Sequence, residues 1–461
     1  VDDPNPGPRS RPRPEPRPRR PRLRRRIRRG AHRALRRAAL SALRPLRRRR
    51  VPPPGERLRV RVLLQNAHGT GGTIRSVLNL CGHLTRDHDV EIVSVIRRSR
   101  KPFFTIPPDA ALTYADDRFA PRGRVARLLA RLPSLLVPAE EASFKLMSLW
   151  SDVCLLRALH RSPPDVLIAT RPSLVLIAAE LAPDGTATIG QDHMSLEAYQ
   201  PSLRRQVVRA YPRLTVLSVL TEPARAGYEA ALAGSGVRIV KIPNAAPALP
   251  DRTSTREHKV VLAAGRLVLN KGFDLLIRAY APIAAEHPGW RLRIFGSGAR
   301  RDRLRALIAE LGLTGRVELC GLTRDLHGEM ARASVYALSS RREGMPMVII
   351  EAMGMGLPVV SFDCPFGPPE LIEHGRDGLL VPTGDVAALT AALRALIEDP
   401  ALRHRLGEEA VRSARAYDLE HIGGRWSRLI AGLHPSPPRG AVRRAGEIAA
   451  DRGRAVPGGD R

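Results

Sequence analysis

Two successive series of short apolar runs, each bounded by turn residues and separated by helical stretches, constrain this chain more than any other feature. In the first series the runs are residues 58–64 (LRVRVLL), 90–96 (VEIVSVI), 165–169 (DVLIA), 186–190 (TATIG), 214–219 (LTVLSV) and 237–242 (VRIVKI), with helical patterns at 74–85 and 141–160. In the second they are 259–264 (KVVLAA), 291–295 (RLRIF), 316–320, 334–338 and 358–361, alternating with helices expected at 273–286, 299–311, 324–332 and 346–355. Short apolar strands alternating with helices form parallel sheets covered on both faces. The fold class expected is therefore α/β, with two Rossmann-like doubly wound domains facing each other across a cleft at the carboxyl ends of both sets of strands. Further helices near 385–398, 401–416 and 418–432 close the fold.

The partition expected is a basic arm at 1–54, a first Rossmann-like domain at 55–243, a linker at 244–257, a second Rossmann-like domain at 258–417, a closing C-terminal helix at 418–434 and a disordered tail at 435–461. Within the arm, residues 1–21 alternate proline with arginine, a composition that favours solvated extended chain. From 23 to 46, Leu23, Ile27, Ala31, Leu35, Ala38, Ala39, Ala42, Leu43 and Leu46 recur at helical spacing with arginines over most of the opposite face. Such a basic amphipathic helix suits an anionic membrane surface, with solvated disorder or another polyanion as competing readings. The first 50 residues hold 20 arginines against Asp2, Asp3 and Glu15, which places +17 of the net +31 charge in the arm. A basic nucleic-acid-binding protein would need stacking aromatics or a recognition motif, and only 4% of residues are aromatic, so nucleic acid is not an expected partner.

No apolar run approaches the ~20 residues of a membrane-spanning helix. The four cysteines (Cys81, Cys154, Cys320, Cys364) are widely spaced, without a CxxC pair for zinc or a dense disulfide framework. The basic N-terminal stretch lacks the apolar core of a secretory signal. The localisation expected is cytoplasmic, with peripheral attachment to the inner face of the plasma membrane through residues 23–46.

Chemistry concentrates in residues 343–360, EGMPMVIIEAMGMGLPVV. Pro346 suits the first turn of a helix, so Gly344 and Met345 would sit at a helix N-terminus whose N–H groups can receive phosphate oxygens. Glu351 lies among Val348, Ile349, Ile350 and Ala352, where a carboxylate needs a partner to offset its desolvation, and a ribose diol is a good one. Helix-capping or solvated roles for Glu343 and Glu351 remain the plainer alternative. In Gly265-Arg266-Leu267-Val268-Leu269-Asn270-Lys271, directly after a strand, an arginine and a lysine five apart can approach one diphosphate together. Gly296-Ser297-Gly298 fits a close backbone approach to a nucleotide, or a simple turn. Gly69, Gly71 and Gly72 in the loop after the first strand can bring backbone close to a phosphate or an acceptor, or form a tight turn. His193, in Gln191-Asp192-His193 after the strand 186–190, should face the cleft, with Asp192 a weaker candidate for the same site.

The 343–360 stretch resembles the retaining nucleotide-sugar glycosyltransferases of family 4, which carry Glu-x7-Glu followed by Ala-x-x-x-Gly-x-Pro-Val-Val and have the GT-B fold. The resemblance spans most of residues 58–432 and is specific in the second domain. It implies that Glu351 binds the nucleotide ribose, that Glu343 and His193 contact the donor sugar, and that Arg266 and Lys271 neutralise the diphosphate. It also places Gly265, Gly296, Thr323, Gly344, Met345 and Pro346 on the donor, Gly71 and Gly72 in an acceptor or phosphate loop, and Thr323-Arg324 in the base-binding loop. Residues 364–370 resemble a Cys-Pro-x-Gly-Pro-x-Glu segment of members acting on bacterial surface polysaccharides. The function implied is retaining transfer of a sugar from a nucleotide-diphosphate donor, a UDP-sugar for preference, to a glycan, polyol-phosphate or lipid-linked hydroxyl. By the same resemblance the departing phosphate oxygen takes the acceptor proton in a front-face attack. No DxD pair sits in a suitable loop, since Asp116-Asp117 lies in a polar run, so neither metal nor cofactor is expected. A nucleotide-sugar epimerase or hydrolase on the same fold, or a non-enzymatic polyanion-binding protein, are the alternatives.

Overall fold

The computed structural model describes residues 21–48, 57–246 and 253–433. Seven strands, β1 (Arg59–Leu64), β2 (Asp89–Arg97), β3 (Ala111–Asp117), β4 (Val166–Ala169), β5 (Ala187–Asp192), β6 (Val216–Val219) and β7 (Arg238–Lys241), form one sheet in the order β3-β2-β1-β4-β5-β6-β7. Six more, β8 (Val260–Ala264), β9 (Arg291–Phe295), β10 (Val317–Gly321), β11 (Val335–Leu338), β12 (Val359–Asp363) and β13 (Gly378–Pro382), form a second in the order β10-β9-β8-β11-β12-β13. All pairings are parallel. The central strands are apolar on both faces, as in β4, whose four residues are all buried, because helices cover each side. In each sheet the strand order reverses once, between β1 and β4 and between β8 and β11, and ligands bind such sheets outside the carboxyl ends of the strands at that reversal.

Two strands escaped the sequence pattern. β3 is an edge strand with a mostly half-exposed face, so its alternation is weak. The expected polar run at Asp116-Asp117 is the end of this strand, with Asp116 buried and held by Arg122 and the Ser151 hydroxyl. β13 lies at the edge of the second sheet. The single helix expected at 141–160 is a short 3-10 turn, Ala142–Leu146, followed by the helix Leu149–Arg161, whose start Ser148 and Ser151 fix with a reciprocal capping box.

The arm is not a free appendage over its described part. Residues Pro21–Leu43 form a helix continued by a 3-10 turn, Arg44–Arg48. The helix docks on the first domain through a polar face. Arg36 is buried and donates to the Leu136 carbonyl at 2.8 Å, His32 lies 2.8 Å from the Ser134 carbonyl, and Arg33 pairs with Glu140 at 2.9 Å. Leu40 joins the first domain's core. The expected disorder of residues 1–20 and of the tail lies outside the described residues. No helix among the described residues is long and apolar enough to cross a membrane.

The helix Leu419–Ala431 returns to the first domain, where Ile422, Trp426, Leu429 and Ile430 are buried with residues of β1 and of the helix Gly72–Leu84. Gly423 lets it lie against His83, since a Cβ there would stand 2.4 Å from the imidazole ring. The chain thus crosses between the domains twice.

Candidate active site

A cleft of about 810 Å³ runs between the two sheets, and a pocket of about 230 Å³ opens off it. Gly71, His193, Lys271, Glu343, Gly344, Met345 and Pro346 line the cleft, Gly296, Thr323 and Glu351 line the pocket, and Gly72, Gly265 and Arg266 line both. These residues therefore face one continuous space, because most follow the carboxyl end of a strand or begin the helix after it, with Glu351 one turn into such a helix.

On the second domain's side, β8 leads into a turn that ends in the 3-10 segment Leu269–Lys271. Lys271 Nζ lies 2.6 Å from Glu343 Oε1, so the loops after β8 and β11 are tied across the reversal point of the sheet. Arg266 is exposed and has no side-chain partner among the described residues, which leaves its guanidinium open to an anion. The helix Met347–Gly354 begins one residue later than expected. Pro346 takes the cap position with extended backbone rather than the first turn, and no side chain caps the helix, so its first N–H groups face the cleft. Gly344 is required by packing across the domains: a Cβ there would stand 2.2 Å from the His193 carbonyl oxygen. Gly296, at φ +145°, lies so close to Gly265 that a Cβ would be 1.8 Å from its carbonyl, which gives the pocket a floor of bare backbone.

Glu351 is only 2% exposed. Burial pushes its carboxyl up to about 7, opposed by the Arg75 guanidinium. Arg75, from the helix Gly72–Leu84 of the first domain, donates from Nη1 to Glu351 Oε2 at 3.1 Å and places Nη2 3.4 Å from His327 Nε2. Its guanidinium also lies 5.6 Å from the centre of the Phe104 ring. Burial, and then Arg75, lower His327 to about 4, so it is a neutral acceptor. Arg75, His327 and Phe104 were missed by sequence reasoning. An arginine in so arginine-rich a chain carries no signal, and only the docking of the domains brings it to the carboxylate.

On the first domain's side, the loop after β1 is anchored by His68, whose ring nitrogens lie 2.7 Å from the Ser99 carbonyl and 2.8 Å from the Tyr114 hydroxyl. The helix Gly72–Leu84 has Gly71 at its cap and no capping side chain, so its N-terminus also points into the cleft. His193 is partly exposed as a residue, but both ring nitrogens are enclosed without a protein partner, and burial lowers it to about 4. A neutral imidazole with free nitrogens beside the cleft is equipped to contact a ligand hydroxyl. Asp192 has a different task from the one considered for it. It accepts from the hydroxyls of Tyr199 and Tyr228 and from the Met194 N–H, and so fixes the turn that carries His193. Arg171 pairs with Glu141 at 2.8 Å and also donates to Gln65, forming an unforeseen polar wall of the cleft.

Thr323 and Arg324 line the pocket beyond Gly296, at the end of β10. The 364–370 segment serves as a clasp between domains: Glu370 accepts the Glu222 N–H at 2.6 Å and pairs with Lys241 at 3.2 Å.

Two doubly wound parallel sheets, with their reversal points facing across a shared cleft, define the GT-B architecture. Residues 249–413 match the family Glycosyl transferases group 1. The chain is 37% identical over 406 residues to an exopolysaccharide phosphotransferase of Streptomyces coelicolor, an alignment taking in 85% of this chain and 43% of that protein. It is 25% identical over 379 residues to the amylovoran biosynthesis glycosyltransferase AmsD of Erwinia amylovora, covering 80% of this chain and 98% of the relative. Against an α-1,4-N-acetyl-D-galactosaminyltransferase of Campylobacter jejuni it is 26% identical over 368 residues, covering 78% of this chain and 95% of the relative. Among solved structures, TarM of Staphylococcus aureus superposes with a TM-score of 0.65 at 14% identity, over 81% of this chain and 99% of that one. The chain thus carries a group 1 glycosyl transferase domain on a GT-B fold, and these matches support a transferase. It spans less than half the length of the Streptomyces relative and 55% of an uncharacterised Haemophilus influenzae glycosyltransferase.

Proposed function

We propose that the chain moves a sugar from a nucleoside diphosphate donor, a UDP-sugar for preference, to a hydroxyl acceptor with retention of the α configuration, in cell-surface polysaccharide, teichoic-acid or glycolipid assembly. The observation that carries the reading is the convergence of Arg266, the Lys271–Glu343 pair and the open N-terminus of the Met347–Gly354 helix on one cleft, with Glu351 in the pocket beside it. In that arrangement Glu351 holds the ribose, Glu343 and His193 meet the sugar, and Arg266, Lys271 and the helix N-terminus stabilise the departing diphosphate without a metal ion. The named roles of the relatives in polysaccharide and undecaprenol-linked glycan synthesis support the acceptor class. TarM was solved in complex with UDP, which supports the nucleotide.

The test is incubation with UDP- and GDP-sugars, with and without a hydroxyl acceptor. Attack at the anomeric carbon releases the nucleoside diphosphate, and that is the expected product. Release of the monophosphate would mean attack at phosphorus and transfer of a sugar phosphate, a phosphotransferase reaction like that in the Streptomyces relative's name, and would overturn the reading.

The acceptor side of the proposal includes an anionic membrane surface. The docked arm helix turns Leu35, Ala38, Ala42 and Leu46 outward, with Leu35 59% and Leu46 45% exposed. Residues 118–132 add Phe119, Val125, Leu128 and Leu132, all exposed, among Arg118, Arg122, Arg124, Arg127 and Arg131 and without an acid. Apolar side chains rimmed by arginines fit the interface of an anionic bilayer. Removal of residues 1–54 should sharply reduce salt-sensitive co-sedimentation with phosphatidylglycerol vesicles; equal binding by both forms would exclude the arm.

A further inference from the structure

We propose that Arg75 gates the donor pocket: its guanidinium occupies the ribose carboxylate, and a nucleotide must displace it to bind. The inference rests on the reading of Glu351 as the ribose acceptor.

Arg75 belongs to the first domain, yet it reaches into a pocket otherwise built mainly by the second. It is held there from three sides, by Glu351 Oε2 at 3.1 Å, by His327 Nε2 at 3.4 Å and by the face of Phe104. A nearly buried carboxylate needs a donor, and Arg75 is its side-chain donor among the described residues. A ribose diol that engages both oxygens of this carboxylate calls on Oε2 as well.

Arg75 and Phe104 form the first domain's part of the pocket wall, together with Thr70, Gly72 and Phe103. Other contacts also hold the domains together. Glu370 on Glu222 and Lys241, the Ser76–Asn244 hydrogen bond at 2.9 Å, and the returning helix with Trp426 do that elsewhere. Arg75 therefore bears on the ligand site, and every nucleotide bound must exchange one set of hydrogen bonds on Glu351 for another. Apparent donor affinity is then reduced by the fraction of molecules in the latched state.

The experiment is calorimetric titration of the full chain with UDP, and with GDP in parallel, for the wild type, Arg75→Ala, Glu351→Gln and the double variant. Arg75→Ala should tighten binding by about threefold or more by removing the competitor. Glu351→Gln should weaken it by about tenfold, the scale of a hydrogen bond to a charged group. In the Glu351→Gln background, Arg75→Ala should change affinity by less than about twofold, since no carboxylate is left to contest. A 2′,3′-dideoxy analogue of UDP should gain little from Arg75→Ala, which a merely structural arginine would not predict. Weaker or unchanged UDP and GDP binding by Arg75→Ala, while Glu351→Gln still weakens it, overturns the gate and leaves the ribose assignment standing. If Glu351→Gln has no effect on either nucleotide, the ribose assignment fails and the gate with it.

Discussion

The two walls of the cleft are built differently. On the second domain's side the functional groups come from short strand-to-helix turns: Arg266 and Lys271 lie within one turn after β8, and Glu343 and Glu351 within one segment after β11. On the first domain's side the groups come from scattered places, with Gln65 after β1, Arg75 in a helix, Glu141 capping a 3-10 turn, Arg171 after β4 and His193 after β5. Under the proposed function the second wall meets a constant diphosphate and can be encoded locally, because one helix N-terminus and two cations suffice for it. A wall facing a particular acceptor has no such fixed chemistry, and its polar pairs, such as Arg171 with Glu141, are assembled by the sheet.

Substitutions on the two walls should separate cleanly. Lys271→Ala should lower turnover with saturating donor by about 10²–10³, as expected for losing a group whose interaction grows as charge develops on the leaving group. Arg266→Ala should cost at least about tenfold. Arg171→Ala should leave acceptor-free donor hydrolysis unchanged and raise the acceptor KM. Steady-state kinetics on the three variants would break the comparison if Arg171→Ala impaired donor hydrolysis as much as Lys271→Ala.

A second contrast lies between the cleft and the seam behind it. Trp426 is 1% exposed in the returning helix, so Trp426→Ala should destabilise the first domain by about 3–5 kcal/mol in chemical denaturation, whereas Lys271→Ala should alter stability far less. Equal effects would mean that the helix is not integral to that domain's core.

Glu351 gives a pH signature that the exposed acids lack. Its carboxyl stands at about 7 in the folded chain, above its ordinary value near 4.5, so the folded state binds the proton more tightly than the unfolded state. Stability from this group therefore falls as pH rises from about 4.5 to about 7 and is constant above. Glu351→Gln removes that slope. It should gain about 2 kcal/mol on the wild type between pH 5 and pH 8, read by denaturant titration at the two values. A parallel pH dependence in both proteins would show that the carboxyl titrates normally. The smallest expected effect is that of EDTA, which should leave transfer rates unchanged. Loss of activity restored by Mn²⁺ would add a metal to the donor wall.

Much of this was legible before any coordinates. The alternation of apolar runs and helices gave both sheets except β3 and β13, whose edge positions leave their faces half solvated and their patterns weak. The donor wall was legible because its residues are close in sequence: a strand end, a turn and a helix start fix Arg266, Lys271, Glu343 and Glu351 within a few residues each. The arm's helical spacing was legible too, but its polarity misled. The helix was expected to lie on an anionic surface, whereas Arg33 and Arg36 dock one side of it against Glu140 and the Leu136 carbonyl and Leu43 packs on the first domain's core, with Leu35, Ala38, Ala42 and Leu46 left facing outward.

The sequence by itself determined the two parallel sheets and the cleft-facing turns that carry Arg266, Lys271 and Glu343, since these follow from periodicity and from bonds spanning a handful of residues. Tertiary structure alone decided that Arg75 meets Glu351 from 276 positions away, that Asp192 is held by Tyr199 and Tyr228, and that the last helix closes the first domain. Contacts of that kind depend on how two folded surfaces meet, and the identity of an arginine or a tryptophan in the chain says nothing about which distant group it will face.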